Sequence, residues 1–223
     1  MKKVLSVLVA AALVTMATSA MALTIVNTKH DLSVGVSGYS ASNTTQVCVF
    51  CHTPHNATQT RALWNRNAGA VTSFSLYTSG ANIENATWYI GGSKTTLPAT
   101  SPSMLCLSCH DGSTTMNNIS RPPAGIAPNN AVAISSGGAN LGSALTNDHP
   151  ISINYAAFVT GLTGTLVAQT GNNVVAASTK LLPLANGVSL ECNTCHNVHD
   201  NNYKPFLRDT MDKSALCTAC HIK

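Results

Sequence analysis

The chain has 223 residues, of which 9% are charged and 5% aromatic, with a formal charge of +4. It carries no basic patch of the kind that grips nucleic acid, and no apolar stretch of membrane-spanning length. Eight cysteines in so uncharged a chain turn attention to cofactor or disulfide chemistry.

The chain opens Met1-Lys2-Lys3, then an apolar run from Val4 to Val14, then small residues ending Ala20-Met21-Ala22. This is the pattern of a secretory signal peptide over 1–22, with cleavage expected after Ala22. The apolar run is short for a membrane span. The remaining 23–223 forms one domain's worth of chain. Without Lys2 and Lys3, ten basic and eight acidic residues leave +2.

The pattern Cys-x-x-Cys-His occurs four times: Cys48 to His52, Cys106 to His110, Cys192 to His196 and Cys217 to His221. This is the attachment signature of c-type haem. Two thiols add to the porphyrin vinyl groups, and the adjacent His supplies one axial nitrogen. Cys48, Cys51, Cys106, Cys109, Cys192, Cys195, Cys217 and Cys220 account for every cysteine. Two rival readings are a disulfide framework and zinc sites. Neither explains why a His follows every second Cys. The expected cofactor is haem c, four per chain. Four ferric haems with ionised propionates would bring the mature chain to about −2.

Eight histidines match the eight axial positions of four haems. His52, His110, His196 and His221 are the proximal candidates. His30, His55, His149 and His199 are the distal ones. Met104, Met116 and Met211 are read as packing residues, because imidazoles already suffice.

In chain order, 23–46 is a loop-like arm carrying His30. His55 follows His52 by three residues, and His199 follows His196 by three. In a helical turn such neighbours share a face. They therefore cannot reach opposite sides of one macrocycle, so each should serve a haem other than its own. The assignment that follows is His55 to the second haem and His199 to the fourth, leaving His30 and His149 for the first and third. Pro54 limits any helix after the first motif. Trp64, Phe74, Tyr77, Trp88 and Tyr89 are expected to pack on haem. Arg121 is weighed evenly as a propionate partner or a solvated cation. Lys204, Arg208 and Lys213 could balance propionates. Asp148 is a candidate to orient His149. A short strand is expected over 151–158, a β-hairpin over 166–176, and short helices over Leu190–His199 and Ser214–His221, with Ser214 as N-cap. Only two residues follow His221, so the fourth haem is expected to be exposed.

His30-Asp31-Leu32-Ser33, Cys48-Val49-Phe50-Cys51-His52-Thr53-Pro54-His55, Leu105 to Gly112, Asn147-Asp148-His149-Pro150 and Glu191 to His199 together resemble the multihaem cytochrome family with doubled C-x-x-C-H motifs. Within it the likeness is to filament-forming tetrahaem cytochromes of the outer surface of metal-respiring bacteria. The resemblance implies a mostly irregular coil fold with a few short helices at the haem motifs and short strands, built around four haems. It implies head-to-tail homo-oligomers in which a His of one subunit ligates a haem of the next, with His30 the candidate. It also implies electron transfer, not an enzymatic reaction, from donor cytochromes to extracellular metal oxides or other acceptors. The alternatives are a soluble periplasmic shuttle and, less well supported by the histidine count, a multihaem oxidoreductase.

Overall fold

The computed structural model describes residues 25–36, 38–39, 44–57, 63–77, 88–122, 131–162, 164–175 and 180–222. The signal-peptide expectation and the end of the expected hairpin at Ala176 lie outside these residues. Among the described residues the chain is mostly coil with a few short helices and two small antiparallel sheets, as the resemblance implies.

The longest element is helix α1, Pro102–His110, which carries the second motif. Its start is fixed locally. The Ser101 hydroxyl accepts from the Ser103 N–H, and Pro102 occupies the first turn, where no N–H is needed. The first motif holds only a 3-10 turn, Cys48–Phe50.

Strand β1, Ile153–Asn154, leads directly into helix α2, Tyr155–Gly161, capped by the Asn154 side chain. The strand expected over 151–158 is therefore two residues long, because Asn154 starts a helix there. Strand β2, Asn173–Val175, pairs with β3, Leu181–Pro183, and Val174 lies opposite Leu182. The expected hairpin partner, 166–169, instead runs beside the C-terminal tail: the Val167 N–H donates to the Cys220 carbonyl at 2.8 Å. Strand β4, Ser189–Leu190, pairs with β1.

Helices α3, Cys192–Cys195, and α4, Ala215–Thr218, are four residues each. Both are shorter than the sequence predicts. After α3 the backbone at His196 is extended, at φ −109° and ψ 142°. Ser214 precedes α4 in a left-handed conformation and makes no capping bond.

Two apolar cores support the motifs. Leu32, Phe50, Met116, Ile119 and Ile134 form one, against which Cys51 and Cys109 pack. The larger includes Phe74, Leu107, Ile153, Val174 and Leu182, with Cys195 and Cys220 against it. Thus the first motif packs on the smaller core, the third and fourth on the larger, and the second lies between them, with Cys109 on the smaller and Leu107 in the larger.

Candidate haem-ligating sites

The first three motifs are held by polar side chains that reach across the chain, and the fourth by backbone bonds between 165–167 and 220–222. Asn65 donates to the Val49 and Arg121 carbonyls at 2.7 and 3.1 Å, which docks the first motif. Buried Arg66 donates to the carbonyls of Ser108, Thr115 and Met116, tying the segment after the first motif to the end of α1. Glu191 accepts from the hydroxyls of Ser101, Ser103 and Ser189 and closes a capping box on α3 with Thr194. It thereby joins the start of α1 to the third motif.

Three pairs of imidazoles face one another. His52 faces His199 with centroids 5.9 Å apart, His110 faces His30 at 6.0 Å, and His221 faces His149 at 6.3 Å. Each pair contains one motif histidine and one that belongs to no motif. One metal between two imidazoles takes bonds of about 2 Å on each side, and each ring centre sits about 1.1 Å behind its nitrogen, so facing centroids fall about 6.2 Å apart. The observed separations fit a single iron between each pair.

The tautomers agree. A carbonyl can only accept, so an Nδ1 facing one carries the proton and leaves Nε2 free for a metal. His110 Nδ1 donates to Ala139 at 2.7 Å, His149 Nδ1 to Pro150 at 3.0 Å, and His196 Nδ1 to Pro205 at 3.1 Å. His149 is thus oriented by the carbonyl of Pro150, not by the expected Asp148. His30 Nδ1 is buried without a hydrogen-bond partner. Burial, with His110, His196 and His199 nearby, lowers the His30 pKa to about 4. A neutral, desolvated imidazole is the form that binds a metal.

The pairing differs from the assignment read from the sequence. His199 faces His52 of the first motif, and not a ring of the fourth. His30 lies opposite His110 of the second motif, and His149 opposite His221 of the fourth. The cause is the short α3. His196 is extended and pinned by Pro205 and by a backbone bridge to Leu207, so His199 is not one helical turn beyond it. His55 is exposed, and neither it nor His196 faces a histidine ring of this chain at the separation of the three pairs.

The cysteines are arranged in contacts between motifs. Cys106 lies near Cys192. Cys51 lies near Cys109, and Cys195 near Cys220. Burial first, then the neighbouring thiols, pushes Cys51 up to about 12 and Cys195 up to about 11. All eight cysteines are free. Among the described residues no group of three or more His, Cys, Asp or Glu converges on one point, as a tetrahedral zinc site requires. Imidazole pairs that each include a motif histidine instead suit a flat macrocycle.

Buried carboxylates brace the loops at the ligands. Asp31, next to His30, accepts from the Asn27 and Ser33 N–H groups and the Ser33 hydroxyl. Asp111, next to His110, accepts from Val71, Ser113 and Thr114 N–H groups and the Thr114 hydroxyl. Burial works to raise both pKa values, but these donors together outweigh it and hold both below the usual carboxylate range. Trp64 sets its ring at right angles to His52, with centroids 5.8 Å apart. Phe74 and Tyr89 lie in the larger core. Arg121 Nε donates to the Asn56 carbonyl, and Arg208 Nε to that of Asn193. Arg66, Asn65 and Glu191 each bind a group 42, 56 and 90 residues away, respectively, and no motif spacing points to them.

Residues 183–223 match the family described as the doubled CXXCH motif. The match spans the third and fourth motifs and supports a multihaem c-type cytochrome with covalent haem. No curated protein matches the chain. Among the described residues no helix is long and apolar enough to cross a membrane.

Proposed function

We propose that the chain is a tetrahaem electron-transfer protein in which every iron is held by two histidines. The observation that carries this is the set of three facing imidazole pairs at the span of one iron, each including a motif histidine. Cys48 and Cys51 with His52 and His199 hold the first haem. Cys106 and Cys109 with His110 and His30 hold the second. Cys217 and Cys220 with His221 and His149 hold the fourth. The third, on Cys192, Cys195 and His196, takes His55 as its remaining ligand. Haem supplies a one-electron couple, and two fixed axial imidazoles keep its geometry nearly constant as the electron passes. With both axial positions filled there is no site for a substrate on iron, so the chain transfers electrons and is not an enzyme.

The reading extends to export by the 1–22 signal and to assembly of copies head to tail into a filament at the outer surface. Electrons would pass there from donor cytochromes to extracellular acceptors such as metal oxides. Two things support it: the resemblance of the motifs, and the histidine left exposed. His30 already faces His110 within its own chain. His55 is therefore the better candidate to cross to a neighbouring copy's His196.

His30→Ala and His55→Ala test this together. His30→Ala is expected to open one haem to a high-spin state in isolated chains and filaments alike. His55→Ala is expected to open one haem and to abolish the filament seen by electron microscopy. A His55→Ala filament with four low-spin haems would overturn the crossing, and discrete monomers of the wild type would favour a soluble shuttle. The ring angles add a spectroscopic signature: 24° for His52 and His199, against 74° and 78° for the other pairs. Crossed ligand planes leave the iron π orbitals nearly degenerate. Paramagnetic resonance of the oxidised protein should then show two highly anisotropic low-spin centres beside a rhombic one.

A further inference from the structure

Resting on the haem reading above, we propose that Glu191 lowers the redox potential at the junction of the second and third haems. Glu191 is buried, at 2% exposure. Its Oε2 accepts from Ser101 at 2.8 Å and Ser103 at 2.5 Å, and its Oε1 from Ser189 at 2.6 Å. The Thr194 N–H completes the set through the capping box. All four partners are neutral donors, and all suit a carboxylate, which only accepts. No hydrogen-bond partner of this side chain supplies a compensating positive charge.

Its position is what gives it consequence. Glu191 directly precedes Cys192, and the hydroxyls it holds open the helix that carries Cys106. The Ser103 hydroxyl itself accepts from the Cys192 N–H at 3.1 Å. The Cys106 and Cys192 side chains lie close enough to influence each other, so porphyrins attached there would both have an edge near this carboxylate. Charge in a poorly solvated site acts at longer range than charge in water. Ferric haem carries one more positive charge than ferrous haem, so a fixed anion favours the ferric form of both neighbours. The electron that reduces them comes from the donor of the transfer reaction, and no bond is made or broken. The nearest contrast is Arg66, a buried cation at the other end of the same helix, where the first and second motifs meet. Asp111 is the other carboxylate at that end.

The test is spectroelectrochemical titration of the holoprotein and its Glu191→Gln variant, with haem content measured on the same samples. Gln keeps the size and one acceptor while removing the charge. The variant should retain four low-spin haems, with the ferric/ferrous equilibrium of at least one moved about tenfold toward ferrous, an upward shift of about 59 mV for one electron. Four haems with unmoved potentials would overturn the proposal. Ser101→Ala and Ser103→Ala remove a dipole that offsets the charge while leaving the charge in place, and they keep the test open if Glu191→Gln does not mature. They should move the same potentials downward about two- to threefold. Potentials unchanged or raised in both serine variants would overturn the charge account and leave Glu191 a structural brace. A wild-type chain without haem would remove the underlying reading itself, an outcome distinct from four haems with unmoved potentials.

Discussion

The facing pairs His30–His110 and His149–His221 have nearly the same geometry and opposite surroundings. Their separations differ by a few tenths of an ångström and their ring angles by a few degrees. Yet His30 is half-buried with its Nδ1 enclosed, packs on Phe206 at 4.5 Å, and is flanked by buried Asp31, while buried Asp111 follows His110. His149 and His221 are both exposed, and the backbone around His221 is held mainly by pairing of the tail with 165–167. Opposition of two imidazoles is thus achieved locally in either setting. Burial, and with it solvent access and local dielectric, is set by the fold, and those are the quantities that separate an interior relay from a surface contact.

The sharpest way to break this comparison is to remove the haem anchors on each side. Cys106→Ala with Cys109→Ala deletes the attachment on α1, which connects to the first and third motifs. Folded, haem-loaded protein should fall about tenfold or more, the change that follows from a loss above about 1.4 kcal/mol. Cys217→Ala with Cys220→Ala should leave a folded chain with three haems. Equal losses in the two variants, measured by haem content per purified chain, would mean the fourth motif is as central as the second.

An effect on stability, separate from haem attachment, is expected from Asp111→Ala. It strips four donors of their buried acceptor next to His110, at a cost of about 3–5 kcal/mol. Asp212→Ala, at an exposed position, should stay within about 0.5 kcal/mol of the wild type. Denaturant midpoints compare the two. The hairpin makes the mildest probe of the site. Leu182 is fully buried opposite Val174, and Leu182→Ala should cost about 2–5 kcal/mol. Its oxidised and reduced haem spectra should match the wild type. Altered axial ligation in that variant would show that β2 and β3 position a ligand as well as the core.

Much of the site is legible in the sequence because the chemistry is local. Each pair of cysteines and the histidine after it fall in one contiguous motif, and the resemblance carried by those motifs implies the coil fold. Pairing of distal ligands is not legible, since it depends on where α3 stops. The spacing of His196 and His199 reads as a helical turn, but pinning of His196 by the Pro205 carbonyl and by Leu207 ends the helix at Cys195. Helix α1 carried a readable signal in Ser101-Pro102, an N-cap followed by proline. The expected strand at 151–158 failed for a similar reason, with Asn154 capping a helix in its middle. Long-range clamps such as Arg66 to Ser108 and Glu191 to Ser101 leave no periodic trace, because they join segments 42 and 90 residues apart.

The central claim is that each Cys-x-x-Cys-His motif carries a covalent haem, and intact mass of the denatured protein isolated from an exporting host tests it most directly. The account predicts residues 23–223 plus four haems, all retained on denaturation. The mass of the bare polypeptide, with or without disulfides, would contradict it.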